Sequence, residues 1–63
     1  MTWLIKLINR RGKCYSVSTN YIEVALMYCR DMHRTYNHQW QIVRVSDDIV
    51  IAQSKTYTPQ GAI

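Results

Sequence analysis

Trp3-Leu4-Ile5-Lys6-Leu7-Ile8, then Asn9-Arg10-Arg11-Gly12-Lys13, then Cys14-Tyr15-Ser16-Val17-Ser18-Thr19: two apolar runs meet at a short basic junction, and the junction decides the fold. Asn at the first turn position caps the turn with its side chain, and Gly at the fourth takes φ > 0 without steric cost. Together they predict a type I turn followed by a left-handed residue that forms a bulge. Asn9 then faces Lys13, and the register runs back through Ile8 with Cys14, Leu7 with Tyr15, Ile5 with Val17 and Trp3 with Thr19. The two-residue period of a strand sends Trp3, Ile5, Leu7, Tyr15 and Val17 to one face. Leu4, Lys6, Ile8, Cys14, Ser16 and Ser18 fall on the other. The same turn carries Arg10, Arg11 and Lys13 on its tip.

Downstream, Asn20 followed three residues later by Glu23 has the spacing of a capping box and predicts a helix start. Ile22, Ala25, Leu26, Cys29, Met32 and Tyr36 recur at helical spacing and form a stripe that can cover a sheet face. Asn37, which tolerates the left-handed conformation, is the expected end. A second hairpin follows, Trp40 to Val45 and Ile49 to Gln53, around Ser46, Asp47 and Asp48, with Asp48 in the left-handed position. This register places Val43, Val45, Ile49 and Ile51 on one face and Trp40, Ile42, Arg44, Val50 and Ala52 on the other. A slip of one residue would exchange the faces. The expected architecture is therefore α+β: one antiparallel four-stranded sheet with one helix on a single face, in the order strand, strand, helix, strand, strand. Residues 1–54 form the domain. Residues 55–63, with Pro59 and Gly61, read as a C-terminal tail.

Sixty-three residues bury only about 60% of the surface of their unfolded chain, so the core is small and stability modest. Eight Lys and Arg against four Asp and Glu give a net charge of +4, which favours an anionic partner: nucleic acid, an acidic protein surface or an anionic membrane. The apolar run Trp3 to Ile8 is interrupted by Lys6 and is far too short to span a bilayer or serve as a signal h-region, so the expectation is a cytoplasmic protein with no membrane partner. In that compartment Cys14 and Cys29 are expected as reduced thiols.

No residues spell out catalysis. Cys29 and His33 share a helical face at i and i+4, and Cys14 and His38 complete four ligands of the kinds that zinc accepts, but no close Cys pair forms a knuckle. Cys29 sits in the apolar stripe and reads as a buried free thiol. His33 and Asp31 stand at i and i+2 and do not face each other. Glu23 reads as a cap, Asp47 and Asp48 as turn residues, and Gly12 and Gly61 are isolated. The chain is expected to be no enzyme, with no cofactor and no metal.

Binding is what remains. Hairpin tips need only turn formers, and adjacent arginines add repulsion that a phosphate or carboxylate partner relieves. The expected docking surface combines the tip residues Arg10, Arg11 and Lys13 with Lys6, Trp40 and Arg44 on the sheet face away from the helix. Leu4, Ile8, Ile42 and Val50 share that face, and so much apolar surface invites a partner or a second copy of the chain. Arg30 and Arg34 read as solvated helix exterior.

The order of elements over Trp3 to Gln53 (WLIKLI, SVSTN, YIEVALMYCRDMHRTY, QWQIVRV and a closing hairpin) resembles that of small phage-encoded inhibitors, among them anti-CRISPR proteins of type I systems and inhibitors of host RNA polymerase. The likeness is one of architecture, carried by no shared motif. It implies a stoichiometric binder that blocks a host defence or other nucleoprotein complex without chemistry of its own. The positive charge departs from the acidic, DNA-mimicking members. A small basic DNA- or RNA-binding regulator is the alternative.

Overall fold

The computed structural model of the protein describes residues 1–55 and Tyr57. Five elements follow one another: β1 (Trp3–Ile8), β2 (Cys14–Thr19), α1 (Ile22–Tyr36), β3 (Gln39–Arg44) and β4 (Ile49–Gln53). The strands form one antiparallel sheet in the spatial order β2-β1-β3-β4, so the chain folds as the expected α+β unit. The tail residues 58–63, Pro59 and Gly61 among them, lie outside the described residues.

The first hairpin has the register that its turn chemistry implies, from Trp3 opposite Thr19 to Ile8 opposite Cys14. Asn9 N–H donates to Lys13 O at 3.0 Å and Gly12 N–H to Asn9 O at 2.9 Å, with Gly12 at φ 83°. Asn9 Oδ1 accepts from the backbone N–H of both Arg11 and Lys13, each at 2.9 Å. One side chain thus holds the turn that sets the register.

Helix α1 begins one step later than the capping box implies. Its N-cap is Tyr21, extended at φ −124° and ψ 115°, and no side chain caps it. Asn20 is engaged elsewhere: its Oδ1 accepts from Thr2 Oγ1 at 3.1 Å, while Thr19 Oγ1 accepts from Tyr21 N–H at 3.2 Å. At the other end Asn37 takes the expected left-handed conformation (φ 58°) and its N–H donates to His33 O at 3.0 Å.

The core lies between the helix and the sheet and consists of Ile5, Leu7, Ala25, Cys29 and Ile42, with Trp3, Tyr15, Ile22, Tyr28, Met32 and Trp40 packed around them. The helix meets the sheet through its two smallest stripe residues, Ala25 and Cys29, which allows close approach and turns Leu26 outward. Leu26 is 44% exposed and Tyr36 54%; Val17, on edge strand β2, is 37% exposed. These three were expected inside.

The second hairpin departs from its expected register by one residue. Arg44, not Val45, pairs with Ile49, and the loop is Val45 to Asp48. Asp48 N–H donates to Arg44 O at 2.8 Å, and Asp48 has the expected left-handed φ of 59°. A bulge between Ile42 and Val43 absorbs the extra residue of β4. Because Ile42 stands opposite Ile5 and Trp40 opposite Leu7, the faces of β3 are the reverse of those expected: Trp40, Ile42 and Arg44 lie on the helix side. Val43 and Gln41 take the other side, with Leu4 and Lys6.

That second side keeps Leu4, Ile8 and Val50 as anticipated but loses Trp40, Ile42 and Arg44. Ile8, Gln41 and Val43 are buried there although no helix covers them. Half-buried Tyr57, whose N–H donates to Ser54 O at 3.1 Å, borders a cavity of about 400 Å³ that Leu4, Lys6, Cys14 and Ser16 also line. Burial raises the Tyr57 phenol above its ordinary pKa, and nearby Cys14 adds to the rise.

Candidate functional site

Topology sorts the charges along the molecule. The first tip lies beyond Ile8, the end at which β3 begins, since Ile8 pairs with Gln39. Strand β4 runs to the same end, with Gln53 opposite Gln41, and α1 finishes there just before β3. Arg10, Arg11 and Lys13 of the turn, Arg34 of the last helical turn and Lys55 after β4 therefore gather at one pole. Asp47 and Asp48 of the second loop and Glu23 of the first helical turn lie at the other.

At the basic pole Arg10 and Arg11 face the helix C-terminus across a shallow cleft that Asn9, Thr35, Tyr36 and His38 also line. The His38 ring is fixed from two sides. Its Nδ1 is hydrogen-bonded to Tyr15 Oη at 3.0 Å with the rings edge to face, and Tyr36 packs against it with ring centroids 5.6 Å apart. Burial raises the Tyr15 phenol above its ordinary pKa, and Tyr28 adds to the rise. A cation pair thus borders exposed and half-exposed aromatic edges, a combination suited to anionic and planar groups.

The six residues expected to form one docking surface are divided. Arg10, Arg11 and Lys13 stay together on the exposed tip. Lys6 lies on the sheet face away from the helix, with Ser16 and Gln41 as its cross-strand neighbours. Trp40 is on the helix side because of the changed register. Arg44 sits opposite Trp3 at the acidic pole. There it binds Asp47, with Nε 3.0 Å from Oδ1 and Nη2 2.6 Å from Oδ2. This pairing raises the Arg44 pKa and lowers that of Asp47. Arg44 is held by its own loop and stands at the far end of β3 from the tip.

Trp40 acquires helix neighbours, among them Arg30 and Arg34, which sequence reasoning assigned to solvent. It lines a cleft of about 510 Å³ with Leu26, Arg30, His33 and Arg34. A second cleft of about 530 Å³ shares His33 and Trp40 and continues to Gln53, Ser54 and Lys55. Trp40 N–H donates to Ser54 Oγ at 3.1 Å and Ser54 N–H to Trp40 O at 2.9 Å, which ties the far wall to the floor. The alternation Gln39-Trp40-Gln41-Ile42, apolar at every second residue, was the signal for this placement.

The four zinc-type side chains are not assembled. Cys14 projects from the sheet face away from the helix and Cys29 is buried between helix and sheet, so the sheet separates the thiols and no disulfide joins them. Among the described residues no three His, Cys, Asp or Glu side chains converge. No helix among them is long and apolar enough to cross a membrane. The chain matches no family model, no curated protein and no solved structure.

Proposed function

We propose that the protein is a small non-enzymatic binding protein that docks its basic pole on a host nucleoprotein complex, in the manner of the phage-encoded inhibitors its order of elements resembles, and acts in the cytoplasm of that host. The observation that supports this reading is the charge sorting: five cations from three separate regions of the chain meet at one end, and three of the four carboxylates, Glu23, Asp47 and Asp48, lie at the other, with Asp31 part-way along α1. Solubility requires only dispersed charge. Crowding like charges costs energy that an anionic partner returns.

The test is capture from nuclease-treated host lysate with the tagged chain and with an Arg10→Ala, Arg11→Ala variant. One nucleoprotein complex retained in stoichiometric amount by the parent and lost by the variant is the expected result. Recovery of no stoichiometric partner by the parent overturns the reading. The same cations favour a second one, a small DNA- or RNA-binding regulator, which requires affinity for free nucleic acid that falls steeply with salt.

A further inference from the structure

We infer that the Trp40 cleft is a binding site for single-stranded nucleic acid, in which a base stacks on Trp40 while Arg30, Arg34 and Lys55 hold the flanking phosphates. The inference deepens the docking reading, since it names the component of a nucleoprotein complex that the chain would grip. It rests on residues outside the first hairpin.

Three observations converge on this site. The cleft of about 510 Å³ is of the size that holds a nucleotide-sized group, and it continues past Trp40 into its neighbour, so a strand can enter at the helix and leave beside Ser54. The half-buried Trp40 forms the floor of both parts, and an indole offers the broad flat surface on which any base stacks. The rim is cationic on two sides, with Arg30 and Arg34 on α1 and Lys55 after β4, and no carboxylate lines either part.

The helix macrodipole accounts for His33 and Arg34, which lie in the last turn, where positive charge is favourable. It does not account for Arg30, a turn earlier. Like charges at i and i+4 on a helix repel, and among the described residues the one ion pair is Arg44 with Asp47, so Asp31, one residue from Arg30 and three from Arg34, closes no ion pair with either. An acidic peptide would satisfy the arginines but leave the Trp40 ring without a planar partner, which favours nucleic acid.

The experiment uses the fluorescence of Trp40 in a Trp3→Phe variant, which leaves Trp40 as the sole tryptophan. An oligothymidylate of about ten nucleotides is expected to quench it in a salt-dependent way. Arg30→Ala and Arg34→Ala, both at exposed positions, are each expected to lower the salt slope by about one. Trp40→Ala is expected to weaken binding, followed by anisotropy of a labelled strand, by about tenfold or more. Absence of quenching at low salt, or a duplex or polyglutamate binding as tightly as the single strand, overturns the inference. Loss of lysate capture with quenching intact would remove only the docking reading, and loss of quenching with capture intact would remove only this one.

Discussion

Tyr15 Oη and His38 Nδ1 lie 3.0 Å apart and join edge strand β2 to the connection between α1 and β3. The bond crosses 23 residues of chain and closes the sheet against the C-terminal end of the helix. Removing the hydroxyl leaves the ring packing in place, so Tyr15→Phe removes this bond together with the weaker contact of the same hydroxyl to Met32 Sδ at 4.0 Å. Their loss should cost about 1 kcal/mol. In a domain this small that lowers the melting temperature by about 4 to 8 °C. A melt indistinguishable from the parent would show that this tie contributes nothing.

The distribution of burial predicts which truncations unfold the chain. Leu7 and Ile42 are fully buried and Ile5 nearly so. Their replacement by Ala should cost about 2 to 5 kcal/mol each, comparable with the total stability of such a domain. Val17→Ala and Leu26→Ala, at partly exposed positions, should cost about 1 kcal/mol or less. Urea denaturation of the five variants checks the ranking, and equal midpoints for Ile42→Ala and Leu26→Ala would refute it.

Comparison of the two hairpins explains how far the sequence was legible. At the first, Asn9 and Gly12 act within the turn itself, so local chemistry alone determines register and face. At the second, apolar Val45 extends the strand pattern by one residue, but Arg44 and Asp47 bind each other across the loop base and the chain turns at Val45. The bulge at Ile42 and Val43 then makes a simple two-residue count across the hairpin fail. The helix was legible as an element but not in its rotation, because small Ala25 and Cys29 face the sheet where the pattern alone gives Leu26 equal weight. Trp40 and Arg44 were misplaced for a separate reason: the pairing of β3 with β1, which puts Trp40 opposite Leu7 and Arg44 opposite Trp3, is a long-range contact. The Trp40 cleft depends on how α1 packs against β3, which no local pattern encodes.

The Arg44 and Asp47 pair sets an acid-side prediction. Asp47 has a lowered pKa in the folded chain, first through its hydrogen bond from Arg44. A depressed carboxylate contributes stability above its unfolded pKa and loses it as pH falls through the folded value. Both side chains are partly solvent-exposed, so the contribution is small and screened by salt. Asp47→Asn should therefore melt slightly below the parent at neutral pH, and the two should converge below about pH 4. A constant difference from pH 2 to pH 7 would assign the effect of the substitution to something other than the carboxylate charge.

The cysteines give an alkaline counterpart. Burial pushes the Cys29 thiol up from 9.0 to about 11, and the residue is 1% exposed, whereas Cys14 is exposed. An acid whose folded pKa is raised stabilises the fold below its unfolded value, and that contribution disappears as pH climbs through the folded value. The melting temperature should fall between pH 9 and pH 11. Cys29→Ala removes this thiol and should flatten that part of the decline, even though its neutral-pH stability also drops. At pH 8 a disulfide reagent should modify Cys14 rapidly and Cys29 only on the timescale of unfolding, because thiolate and access are both required. Two equivalents reacting at one fast rate would show that the packing of α1 on the sheet does not shield Cys29.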